Sequence, residues 1–184
     1  METKTFCDGS NFVILTNAFC EVPMQILTAA PYSLTQGTLI RATMRAFNVI
    51  GGSITSTLNS FGEFAQNAPL KPPSAPLRNG DTSESILKVD YPMLSGVFNG
   101  GSTIMSLQLQ WDEGSSGARW ATLLGFSPFT TTSSYTITGS RVQSGRVYKF
   151  RYRARNIHGW GPFSDPLDLL AASIPDRLAP VVVN

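Results

Sequence analysis

Residues 145–164 read GRVYKFRYRARNIHGWGPFS, and this stretch decides the fold. Tyr148, Phe150, Tyr152 and Ala154 alternate strictly with Lys149, Arg151, Arg153 and Arg155. Side chains of a strand point alternately to its two faces, so the pattern predicts a strand with an apolar face against a core and a basic face toward water. Gly145 before it, and Asn156, Gly159 and Gly161 after it, are residues that accept the positive φ of tight turns.

The same punctuation occurs upstream. A shift of 108 positions sets Gly37 on Gly145, Arg45 on Arg153, Ala46 on Ala154, Asn48 on Asn156, Gly51 on Gly159 and Ser56 on Ser164. These identities fall on the residues that shape the turn. Between them Ile40, Ala42, Met44 and Ala46 alternate with Arg41, Thr43 and Arg45. A repeat of about one domain length, made of many short strands without helical periodicity, predicts an all-β chain of tandem antiparallel β-sandwiches, not a solenoid.

Working outward, Phe12 to Leu15 and Val22 to Leu27 are short apolar runs that read as strands, and Leu39 to Phe47 is the weaker copy of the strand above. Residues 69–74 carry Pro69, Pro72 and Pro73 and read as a Pro-rich linker. Residues 75–173 then offer Ser85 to Tyr91, Ile104 to Trp111, Arg119 to Leu124, Tyr135 to Thr138 and Leu167 to Ala172 as further strands, which suits one whole sandwich. Residues 174–184 end in Pro180, Val181, Val182 and Val183 and read as a linker with the first strand of a following unit. The chain is thus expected to be a piece of a longer array cut out of register, with residues 1–68 the later part of one domain.

Composition excludes several classes. With 14 Lys and Arg against 12 Asp and Glu, the net charge of +2 provides no basic field for nucleic acid. No apolar run approaches a membrane span of about 18 residues. There is one histidine, His158, so neither a His-based triad nor a multi-histidine metal site can be built. Asp112 with Glu113, and Asp165 with Asp168, read as turn carboxylates in preference to an acid and base pair. Gly51-Gly52 and Gly100-Gly101 adjoin no helix that would make a phosphate loop. No catalytic, metal or cofactor-binding residue is expected, and no cofactor.

The pattern G-x-x-Y-x-F-x-V-x-A-x-N-x-x-G-x-G-x-x-S after an apolar position resembles the fibronectin type III family. It is met by Val142, Gly145, Tyr148, Phe150, Tyr152, Ala154, Asn156, Gly159, Gly161 and Ser164. The resemblance covers the whole second unit and the later half of the first. It implies immunoglobulin-like sandwiches, and it sets Tyr148 at the tyrosine corner, whose hydroxyl ties its strand to the preceding loop. Tyr91 stands where a core Trp is usual, and Ile40 where the first unit would carry its corner Tyr. Cys20 to Leu27 together with Trp120 to Gly125 are also similar to the repeat-built surface proteins of ciliates.

Three features bear on function. Cys7 and Cys20 bracket a hairpin-like segment and are expected to form a disulfide of an oxidising compartment, two buried free thiols being the alternative. Arg151, Arg153 and Arg155 share a face that Trp160 and Phe163 follow; a solvated face is the plain expectation, and an arginine and aromatic ladder like that of cytokine-receptor domains the sharper one. Pro180 to Val183 could add as a strand to an exposed sheet edge of a neighbour. The hydroxyls of Thr130 to Ser134 suit either an O-linked glycan or an ordinary polar loop.

The expected function is a structural or adhesive tandem-repeat segment of a long extracellular surface, matrix or filament protein. Its expected partners are neighbouring copies or repeats of itself. A ligand-binding receptor ectodomain and an accessory module of a secreted carbohydrate-active enzyme are the alternatives.

Overall fold

A computed structural model of the chain describes residues 5–173. The described residues divide into two compact units, residues 5–67 with 100–102, and residues 68–99 with 103–173.

The second unit is an antiparallel β-sandwich. One sheet joins β1 (Leu77–Arg78), β2 (Ile86–Asp90) and β5 (Ser134–Thr138) in the order β1-β2-β5. The other runs β4 (Ala121–Leu124), β3 (Ser106–Trp111), β6 (Val147–Asn156) and β7 (Gly159–Trp160), with β8 (Leu167–Leu170) also paired to β6. The alternation of residues 148–155 is realised as predicted. Tyr148, Phe150, Tyr152 and Ala154 are fully buried while Lys149, Arg151, Arg153 and Arg155 are half-buried. They close a core with Leu87 and Val89 of β2, Leu107, Leu109 and Trp111 of β3, and Ile137 of β5. Tyr91 takes its unusual place inside this core against Tyr152, ring centroids 5.4 Å apart.

Two glycines are fixed by close approach. Gly125 has φ +85°, and a Cβ there would overlap the Leu107 carbonyl. A Cβ on Gly161 would meet the Pro69 carbonyl in the same way. The segment read as a Pro-rich linker packs on the sandwich: Pro69 and Pro72 are buried, and Lys71 pairs with Asp165 at 2.7 Å. Proline rings are apolar and cost no further backbone ordering, so they seal an edge as readily as they space domains.

The first unit corrects two strand expectations. Residues 12–15 and 22–27 fall largely in helices, α1 (Phe12–Asn17) and α2 (Met24–Thr28). Asn11 caps α1 by accepting from the Val13 amide, and Ala18 closes it in the left-handed conformation at φ 55°. Short apolar runs do not distinguish strand from helix by periodicity; α1 carries a side-chain cap, whereas α2 follows Pro23 without one. The Cys7–Cys20 disulfide is formed and encloses α1.

Leu39 to Phe47 is extended but makes no regular ladder. Bridges occur at Leu39 with Phe64 and at Phe47 with Gly52. In between, side chains take the backbone donors: Asn59 accepts from the Ala42 amide, Ser56 from Met44 and Ser53 from Ala46. Hydroxyl and amide acceptors replace carbonyls there, so a hairpin forms without a continuous strand. Pro180 to Val183, and the strand expected of them, lie outside the described residues.

Candidate functional site: an arginine and aromatic ladder

The outward face of β6 is stacked, which corrects the expectation of a solvated one. The Arg151 guanidinium lies 3.9 Å from the Trp120 ring centroid and 4.2 Å from that of Phe163. Arg153 lies 4.5 Å from Phe163 and 4.7 Å from Trp160. Arg155 lies 4.6 Å from Phe129, and Phe129 and Phe126 each contact Trp160 with centroids 6.1 Å apart. Planar cations and rings therefore alternate from Trp120 to Trp160, and a ring contact then carries the stack on to Phe129 and Arg155. Aromatic faces attract guanidinium through the ring quadrupole, and the arginine stems cover apolar surface at the same time.

Neutral amides hold the cations in register. Gln110 faces Arg151 and Gln108 faces Arg153 across the β3 and β6 pair. Gln110 Oε1 accepts from Arg151 Nε at 3.0 Å and Nη2 at 2.8 Å, and Gln108 Oε1 accepts from Arg153 Nε at 2.7 Å. Both glutamines donate in turn to the Thr122 hydroxyl on β4, at 2.9 and 3.3 Å. The network crosses three strands. Burial, with the neighbouring Arg153 charge, holds Arg151 below its ordinary pKa, and burial does the same to Arg153.

Sequence reading found Arg151, Arg153, Arg155, Trp160 and Phe163 but missed Trp120, Phe126, Phe129, Gln108, Gln110 and Thr122. The signal available for the glutamines was their alternation with Leu107, Leu109 and Trp111, which assigns them to the outward face of their strand.

Other singled-out residues have structural surroundings. The Tyr148 hydroxyl accepts from the Gln143 amide at 2.9 Å and reaches the Arg141 carbonyl at 3.3 Å, on the loop before its own strand. Asp112 is fully buried and accepts from the amides of Gly114, Gly117 and Lys149. Asp165 and Asp168 pair with Lys71 and Lys149. His158 sits in the turn that the Asn156 side chain closes. Among the described residues no cluster of three His, Cys, Asp or Glu could hold a metal, and no helix is long and apolar enough to cross a membrane.

The turn after β6 has a counterpart in the first unit, bond for bond. Ser164 Oγ accepts from the Tyr152 amide at 3.2 Å, and Ser56 Oγ from the Met44 amide at 2.9 Å. The Ser164 amide returns to the Tyr152 carbonyl as Ser56 does to Met44, and Gly161 to Ala154 as Ser53 does to Ala46. Asn156 Oδ1 accepts from the His158 amide, and Asn48 Oδ1 from Ile50. Every pair is 108 residues apart. The surroundings differ: Tyr152 is 0% exposed and Met44 is 74% exposed.

No protein-family model and no curated protein matches the chain. Among solved structures it is similar to a fourth fibronectin type III domain of human origin, with 18% identity and a TM-score of 0.50 over 73% of this chain and 100% of that one. It is also similar to the chicken CNTN1 FN1-FN3 domains, with 19% identity and a TM-score of 0.48 over 71% of this chain and 43% of that one. The sixth domain of human fibronectin type III domain containing protein 3 aligns at 19% identity and a TM-score of 0.46, over 66% and 100%. At these identities the likeness concerns the fold alone.

Proposed function

We propose that this chain, whose fold is fibronectin type III-like, is a structural or adhesive module of an extracellular assembly in which such sandwiches recur and neighbouring copies meet. The fold itself recurs in many cell-surface domains and leaves function open. The observation that carries the proposal is the hairpin repeated at 108 residues, covered in one unit and exposed in the other. In the second unit β3 lies against β6. Among the described residues of the first unit nothing takes that part, and Met44, Phe47, Ile50 and Ile54 are exposed. Backbone groups and apolar side chains left open together are what strand addition from a second copy satisfies. The disulfide accords with an oxidising compartment outside the cytosol.

Sedimentation velocity of the intact chain over a wide concentration range tests this. Reversible self-association is expected, and a strictly monomeric chain throughout would refute it. The ladder favours a second reading, a ligand-binding ectodomain, because its cations are held in register without a partner carboxylate among the described residues.

A further inference from the structure

We propose that the ladder face of β6 is a binding surface for an extended acidic peptide bearing carboxylates at every second residue. Arg151, Arg153 and Arg155 occupy alternate positions of one strand. Such positions recur at about 6.6 Å along a strand, and the same-face side chains of an extended peptide share that repeat. An Asp-x-Asp-x-Asp segment lying along β6 would therefore set one carboxylate near each guanidinium.

The donors suit this occupant. Each guanidinium carries five N–H groups in a planar fork. Arg151 commits its Nε edge to Gln110, and Arg153 commits Nε to Gln108, through neutral acceptors only. The contact of Arg155 through Nη1 is to the Met105 sulfur at 3.7 Å. No carboxylate among the described residues accepts from any of the three, whereas Lys149 on the same strand is paired to Asp168 at 2.6 Å. The rings occupy the faces of the guanidinium planes and leave edges for in-plane, two-point bonding to a carboxylate. The side chains are already ordered by the stacks, so binding does not have to immobilise them. Carboxylates would also relieve the repulsion from Arg153 that, after burial, holds Arg151 below its ordinary pKa.

The test uses the full chain and three probes. The first is an alternating capped peptide of sequence DSDSDSDS, the second its block isomer DDDDSSSS, and the third a dextran sulfate oligosaccharide of equal charge. Titration at low salt, where screening is weak, is expected to give a Kd about five-fold lower for the alternating peptide than for the block isomer. On the wild-type chain, the Nε–H resonances of Arg151 and Arg153 should move as the alternating peptide is added. Arg153→Lys keeps the charge and loses the fork, and should weaken the alternating peptide about five-fold, while Arg119→Lys, outside the ladder, should not. Equal affinity for the two isomers, tighter binding of the sulfated oligosaccharide, or unmoved Arg151 and Arg153 resonances would overturn the proposal. The resonance measurement needs no variant, so it decides even if Arg153→Lys fails to fold.

Discussion

The guanidinium of Arg153 stands between two rings, 4.7 Å from Trp160 and 4.5 Å from Phe163. Trp160 also meets Phe126 and Phe129, so it is the node at which the ladder turns from β6 to the loop before β5. Trp160→Ala removes one cation contact and two ring contacts. Partly exposed contacts of these kinds each contribute about 0.5 to 1 kcal/mol, so a loss of about 2 kcal/mol in urea unfolding is expected. Unchanged stability would mean that the stack is not populated in solution.

Asp112 organises the turn between β3 and β4 by accepting three backbone amides from a fully buried position. Asp112→Ala leaves those donors without the carboxylate and should cost about 3 kcal/mol. Asp112→Asn keeps one acceptor oxygen and should cost less. Equal losses for the two, measured by thermal unfolding, would assign the effect to charge and not to the bonds.

The Cys7–Cys20 disulfide closes a short loop around α1. Cross-linking a loop of this length contributes about 3 kcal/mol by restricting the unfolded chain. Reduction should therefore diminish the helical signal of residues 12–28, because helices this short do not persist alone. The β signal of residues 77–170 should stay. An intact mass that does not change on reduction would remove the disulfide altogether.

Asp90 supplies a pH dependence with a definite sign. Hydrogen bonds, first from Ser134 and then from Asn79, hold its carboxyl below the ordinary value of 3.8. A group depressed in the folded state stabilises above its unfolded pKa, and that stabilisation is lost as pH falls through the folded value. Between about pH 5 and pH 2, Ser134→Ala should lose less stability than wild type, the two curves converging at the acid end. Parallel curves would exclude the bond as the cause.

Much of the sandwich was legible because strand alternation is local. Tyr148 to Arg155 carry both faces of β6 in one octet, and the turn residues from Asn156 to Ser164 follow without a gap. The ladder was half legible for the same reason. Arg151, Arg153, Trp160 and Phe163 lie close in sequence, whereas Gln108 and Gln110 reach them through the register of β3 on β6. Trp120 joins just ahead of β4, whose pairing with β3 shifts register between Leu109 and Gln110. A register slip of this kind leaves no local mark. The helices were missed because Phe12 to Leu15 is too short a run to show a period, although Asn11 was a readable cap. The packing of Pro69 on Gly161 joins residues far apart in the chain, and composition alone suggested a spacer.

One hairpin is used twice, covered in the sandwich and, in the proposed assembly, open to a neighbour in the other unit. Amide hydrogen exchange of the intact chain at low and high concentration reads both copies in one experiment. The Thr43 and Arg45 amides, on the edge opposite the one bonded to Ser53 and Ser56, should exchange fast when dilute and at least about ten-fold more slowly when concentrated, while Gly161 and Ser164 stay protected throughout. Protection of Thr43 and Arg45 that does not depend on concentration would contradict assembly through the exposed hairpin.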